Sequence, residues 1–214
     1  MARFRSDRRT AGTALLLALA AMNPAVPAEL SGALTIDNWS RLEHNVQDDS
    51  TSIDDARISH GSDMSIKAGR AVRALLPGNV NRLMLSGGVH IDYRGAVLDA
   101  ETALVVFRGQ QLQSARVQGS QATFSHQPAG SPRRVRGQAN AIEFDGASNR
   151  VRFSGKTSYT DGRTECNVEE LYYSLADGSI INNRPQGEND RCTVDLDAGA
   201  RVPTPRTPDR STSQ

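Results

Sequence analysis

The side chains of this 214-residue chain that could do chemistry are few and scattered. Its four histidines, His44, His60, His90 and His126, lie far apart, and none stands at ligand spacing from a cysteine, so no metal set is read from them. Cys166 and Cys192 lack the Cys-x-x-Cys spacing of redox catalysts. There is no Gly-x-Ser-x-Gly elbow, no His-Glu-x-x-His pair and no phosphate-cradling glycine loop. The carboxylates mostly alternate with apolar residues, which puts them on wet faces rather than in a shared site. The expectation is a non-enzyme that needs neither metal nor cofactor. One basic cluster, Arg133, Arg134 and Arg136 beside Pro132, reads as a solvated loop, with contact to lipid phosphates as the second reading.

The elements that must position these residues begin after an address. Arg3, Arg5, Arg8 and Arg9 make a basic start, residues 11–22 are an apolar run, Pro24 and Pro27 break it, and Val26-Pro27-Ala28 offers small residues for cleavage. Residues 1–28 are therefore expected to be a secretory signal peptide. The apolar run stops short of the roughly 20 residues that a membrane span needs. Thr10 and Ala11 follow the arginine pair where a twin-arginine signal wants apolar residues, which favours general secretion. An exported chain with two cysteines is expected to bond them, and closing a loop between Cys166 and Cys192 stabilises by about 3 kcal/mol in the chain-entropy account. A net charge of +1, with both signs interspersed, gives no field that would hold nucleic acid.

Residues 29–52 are polar and read as an extended lead-in with at most one strand, over residues 33–36. From residue 53 to 198 the pattern is that of one all-β domain: short alternating runs, separated by Gly, Asn, Asp or Ser about every 8–12 residues. Val89-His90-Ile91-Asp92-Tyr93 and Val151-Arg152-Phe153 are examples, each burying one face. Asp145-Gly146, Asp161-Gly162 and Asp177-Gly178 read as two-residue hairpin turns. The tail, residues 199–214, carries Pro203, Pro205 and Pro208 among polar residues and is expected to be disordered.

One spacing returns four times. Ile66, Ala68 and Ala71; Leu98, Ala100 and Ala103; Gly137, Ala139 and Ile142; and Cys166, Val168 and Leu171 each put small or apolar residues at i, i+2 and i+5. In a straight strand i+5 faces the opposite side from i and i+2, so the strand is expected to bend or bulge between them. A corner recurring about every 30 residues predicts stacked, similarly bent strands and a curved sheet.

The ordered set Leu85-Ser86-Gly87-Gly88-Val89-His90-Ile91, Leu98-Asp99-Ala100-Glu101, Val117-Gln118-Gly119, Ala122-Thr123-Phe124, Val135-Arg136-Gly137-Gln138-Ala139, Val151-Arg152-Phe153-Ser154-Gly155 and Glu170-Leu171-Tyr172-Tyr173 resembles the OstA-like domain family of lipopolysaccharide-transport proteins. The resemblance covers residues 52–181. It implies an open, taco-shaped antiparallel β-jellyroll, built from short repeated bent strands, that carries acyl chains between its sheets. It implies a periplasmic carrier that shields lipopolysaccharide and assembles head-to-tail into a bridge between inner and outer membranes. The implied partners are lipopolysaccharide, the homologous domains of the inner-membrane-tethered and outer-membrane components, and further copies of the chain itself. Phe124 matches the family's groove-facing aromatic residue. Two features depart from the pattern: the N-terminal strand is poorly matched in residues 29–53, and Cys166 stands where an apolar residue is usual.

A groove for acyl chains should be apolar and free of catalytic groups, since exposing one methylene to water costs about 0.8 kcal/mol. The expected lining is Val89, Ile91, Leu98, Ala100, Val117, Phe124, Ile142, Phe144, Phe153 and Leu171, with Ile66, Val105 and Val151 also inward. Aromatic content of only 5% leaves less bulk to fill the interior. Alternation looks the same for a filled core, so an exported structural β-repeat protein without a lipid ligand remains open, as does an exported enzyme with an unrecognised site.

Overall fold

A computed structural model describes residues 34–182 and 185–196. The expected signal peptide and the expected disordered tail lie outside the described residues. What is described consists of strands, turns and loops: β1 (Leu34–Asn38), β2 (Arg41–Asn45), β3 (Ser50–His60), β4 (Met64–Leu76), β5 (Val80–Tyr93), β6 (Ala96–Arg108), β7 (Gln111–His126), β8 (Val135–Asp145), β9 (Arg150–Thr160), β10 (Thr164–Ser174), β11 (Ile180–Ile181) and β12 (Arg191–Val194). They form one antiparallel sheet in which β3 to β10 pair in sequence order. This is the open, taco-shaped β-jellyroll that the motifs imply.

The strands are long, not short. β3 to β10 run for 11 to 16 residues because the short alternating runs are joined through irregularities in mid-strand. In β7, for example, the runs around Val117 and Phe124 are separated by a bulge between Gln118 and Ala122. Each strand from β3 to β10 has such a break, at Asp55, Ala68-Gly69, Gly87-Gly88, Ala100-Glu101, Gly119 to Gln121, Ala139-Asn140, Gly155-Lys156 and Glu169. Paired strands place these breaks side by side, so they form a crease across the sheet. The backbone is left-handed there at Asp55, Gly87, Gly88, Gly155 and Lys156, as bulges often require.

The crease explains the repeated spacing. Ile66, Ala68 and Ala71 are all buried, as are Cys166, Val168 and Leu171, because one extra residue between the second and third members restores the same face. The four copies fall on β4, β6, β8 and β10, so the period is one hairpin.

The crease divides the sheet into two leaves. Toward one edge, β1 pairs with Arg57–His60 of β3 and extends the first leaf, while β2 pairs with Ser50–Asp54 and extends the second. At the opposite edge β12 continues the first leaf beside Thr164–Asn167, and β11 the second beside Tyr172 and Tyr173. β1 runs to Asn38, past the single strand expected over residues 33–36, and β2 was not foreseen. Both are edge strands; β1 alternates only at Leu34 and Ile36, and β2 is exposed along its whole length, with no burial alternation to read.

The hairpin loops also differ from expectation. Asp145-Gly146 and Asp161-Gly162 belong to longer connections, of four and three residues, because each Asp carboxylate caps its own loop. Asp145 accepts from Ala147 N, and Asp161 accepts from Arg163 N and Thr164 N at 2.9 and 2.7 Å. Two-residue turns are found instead at Arg94-Gly95, where both residues are left-handed, and at Gly109-Gln110.

Cys166 and Cys192 are direct partners across β10 and β12 and are joined by a disulfide, with Cα atoms 4.1 Å apart. On the outside of the second leaf, Glu143 bridges Arg116 and Arg152, and Arg152 also reaches Glu170.

The crease needs backbones in close approach. A Cβ on Gly69 would lie 2.8 Å from the Gly87 carbonyl oxygen, which is main chain and cannot swing away. Gly69→Ala is expected to destabilise by about 1–3 kcal/mol, read as a lower urea midpoint. An unchanged midpoint would mean that the crease is compliant.

Candidate functional site

The inner faces of the leaves meet in a single apolar core. Val89, Ile91, Leu98 and Phe124 line it from the first leaf; Val117, Ile142, Phe144, Phe153 and Leu171 line it from the second. Ile66, Val105 and Val151 are buried with them, whereas Ala100 is only half-buried because it sits on the crease. Every residue expected to line the interior is thus on the inner face.

Contacts between the leaves are made by side chains, aliphatic and aromatic together, and several are ring to ring. Phe124 meets Phe153 edge-on with centroids 5.3 Å apart and Tyr173 at 5.5 Å. Tyr93 faces Phe144 at 5.3 Å, and His60 stacks flat on Phe107 at 5.2 Å. The low aromatic count is therefore concentrated where the leaves touch. Gly137 makes room for this: a Cβ there would come 2.6 Å from the Phe153 ring.

The interior is nearly filled as it stands. A wholly apolar slot among Ile91, Leu98, Phe124 and Phe144 leaves about 10 Å³, room for one water at most. A chain-like guest must therefore part the leaves or displace aromatic rings. Nothing covalent among the described residues opposes this along the rim away from the crease, where only hairpin loops lie.

The inner apolar face also runs on past the closed core at both edges. Leu42 on β2 is the direct partner of buried Ile53, so it shares the inner face, yet it is 42% exposed. Val194 on β12 opposes Thr164, two residues from buried Cys166, and is 60% exposed. Apolar side chains thus emerge from the groove at each end.

Polar groups inside are few. His126 Nδ1 and the Tyr173 hydroxyl are 2.8 Å apart and link the leaves. Burial lowers the His126 pKa from the ordinary 6.5, and burial pushes the Tyr173 phenol up to about 12, so both are neutral near pH 7. Of the basic cluster, Arg133 is engaged with Asp161 at 3.2 Å on the outer surface, and Arg136 is exposed. Sequence reasoning missed one group: His60, Arg73 and Asn81 around a cleft at the β1–β2 edge. The signal was present in Arg73, two residues from an inward Ala71.

Fold and interior together define an open β-jellyroll of two leaves around an apolar groove. The chain belongs to the LptA/(LptD N-terminal domain) LPS transport protein family, whose model matches residues 70–179. The structure is similar to the crystal structure of LptH, the LptA homologous periplasmic component of the conserved lipopolysaccharide transport device from Pseudomonas aeruginosa. That similarity has a TM-score of 0.51 at 15% identity and covers 61% of this chain and 94% of LptH. No curated protein matches the chain. The family match begins at Arg70 within β4, so β1, β2 and β3 precede it.

Two outcomes follow for the core. Phe124→Ala is expected to cost about 3–5 kcal/mol in urea unfolding, because its ring, 2% exposed, joins both leaves; a loss below 1 kcal/mol would show a core that is already loose. The lowered His126 pKa means that the unfolded chain takes up this proton first as pH falls below about 6.5. Its contribution is complete at neutral pH and declines as pH falls through the folded value. Unfolding at pH 7.5 and pH 5 should therefore show a smaller acid loss for His126→Phe than for the unmodified chain; equal losses would assign the effect elsewhere.

Proposed function

We propose that this chain is a periplasmic carrier that holds the acyl chains of lipopolysaccharide between its leaves and joins edge to edge into a bridge between inner and outer membranes. Export through a cleaved signal peptide over residues 1–28 delivers it there. Its partners are lipopolysaccharide, further copies of itself and the related jellyroll domains anchored in the two membranes. It catalyses nothing; its work is to lower the barrier to moving apolar chains through water.

The observation that carries this reading is the pair of inner-facing apolar side chains left exposed at opposite edges, Leu42 and Val194. A filled structural core would end in polar residues at its edges. Here the apolar floor continues outward at both, as it must if grooves are to abut. Strand edges normally are blocked; pairing them would extend the sheet from copy to copy by β-augmentation. Membership of a lipopolysaccharide-transport family supports the choice of lipid.

A photoreactive residue at position 124 is expected to capture lipopolysaccharide in cells, and one at the outward-facing position 143 is not; equal capture at both sites would sink the carrier reading. Mass measured across a concentration series should rise, and Leu42→Glu should suppress the rise by placing an unpaired charge in the joint. A chain that stays monomeric at high concentration would refute the assembly.

A further inference from the structure

At the β1–β2 edge the groove opens into a cleft of about 320 Å³ between the leaves. Leu34 and Ile36 of β1 line it from the first leaf and Phe107 of β6 from the second, and these three are its apolar walls. Four nitrogen-bearing side chains, from His60, Arg73, Asn81 and Gln110, share the space with the Thr51 hydroxyl, and no carboxylate is among the lining residues.

His60 is 2% exposed, and its Nδ1 is buried without a hydrogen-bond partner. Such a vacancy is unfavourable in a folded chain and asks for a ligand atom. The ring cannot easily turn away, since it lies flat on Phe107 with planes 5° apart. Arg73 alternates with fully buried Ala71 on β4 and therefore points inward, an unusual place for a guanidinium. Its Nε donates to Asn81 Oδ1 at 2.9 Å, which sets the plane of the fork. Asp49 stands 3.8 Å from Nη1 but is half exposed at the rim, so it neutralises the guanidinium only loosely.

We propose that this mouth is a binding site for the oxyanion head of an amphiphile, a phosphate ester above all, with the attached alkyl chain lying between the leaves. Arg73 supplies charge-assisted donors to the oxyanion, and His60 supplies Nδ1–H in the tautomer that the ligand selects. Leu34, Ile36 and Phe107 cover the first carbons of the chain. The proposal rests on the carrier reading; Arg73, Asn81 and Phe107 lie within the family match, whereas Leu34, Ile36 and His60 precede it and come from this chain's own N-terminal strands.

The test titrates the full chain, labelled with ¹⁵N-histidine, with three probes below any critical micelle concentration: dodecyl phosphate, dodecyl maltoside and inorganic phosphate. Dodecyl phosphate is expected to bind about tenfold more tightly than the maltoside and to shift the His60 Nδ1 resonance. Arg73→Gln and His60→Phe should each weaken dodecyl phosphate about tenfold and leave the maltoside unchanged. His60→Phe keeps a ring on Phe107 and removes the orphan nitrogen, so its Tm should rise while binding falls; a purely structural histidine would not behave so. Equal affinity for the two detergents with an unmoved His60 resonance would overturn the site. Inorganic phosphate binding as tightly as its dodecyl ester would overturn the amphiphile and leave a free-anion site. If lipid capture at position 124 succeeds while these effects are absent, the head site alone falls; if capture also fails, the carrier reading falls with it.

Discussion

An antiparallel sheet with apolar side chains along one whole face must cover that face, and among the described residues this sheet has only itself to do so. β3 to β10 are each too long to lie flat beneath a second layer that the described residues do not contain. They bend instead, all at the same level. The bend demands an extra residue or two in every strand, left-handed backbone at some of them, and glycine where neighbouring strands come too close for a Cβ, as at Gly69 and Gly87. The inward set before the crease and the inward set after it then face one another. Core, groove and split edges all follow from that line of bulges.

A sheet folded on itself differs from a sandwich of two sheets in what holds it shut. Along the crease the leaves are joined by every strand, but across the groove they are joined by side chains alone. Aliphatic side chains and ring pairs share that joining, the rings being Phe124 against Phe153 and Tyr173, Tyr93 against Phe144, and His60 against Phe107. Aromatic and dispersion contacts are individually weak and lack the fixed geometry of ladder hydrogen bonds. Acyl chains could replace them with little net loss, since one apolar contact exchanges for another. This is the physical sense in which a nearly filled interior and a carrier groove are compatible.

The edges obey a different rule. Each outer strand of the main sheet, β3 and β10, is covered twice, once on each leaf, by short strands too small to carry a core of their own. β12 is fastened by the Cys166–Cys192 disulfide, whose first sulfur is held by a buried, inward-facing residue. β1 and β2 have no such fastening and border the cleft where polar nitrogen atoms intrude on the apolar floor. The two ends of the groove are therefore chemically unlike, which gives the molecule a direction.

Much of this was legible in the order of residues. Alternation such as Val89-Ile91-Tyr93 established strands, because side chains in a strand point alternately to the two faces. The i, i+2, i+5 spacing in β4, β6, β8 and β10 announced a bend or a bulge, because a straight strand would turn the last residue to the other face. The inward list followed from the same parity. What could not be read were β2, whose side chains are exposed along its whole length, the extent of β1 past Ile36, and the lengths of loops such as 146–149, which local carboxylate bonds decide. Nor could the sequence say that His60, at the end of one strand, would lie beside Arg73 and Asn81 of others. Periodicity determines which way a side chain points; only the folded sheet determines what stands opposite, because that depends on where distant strands are brought when all of them bend at one line.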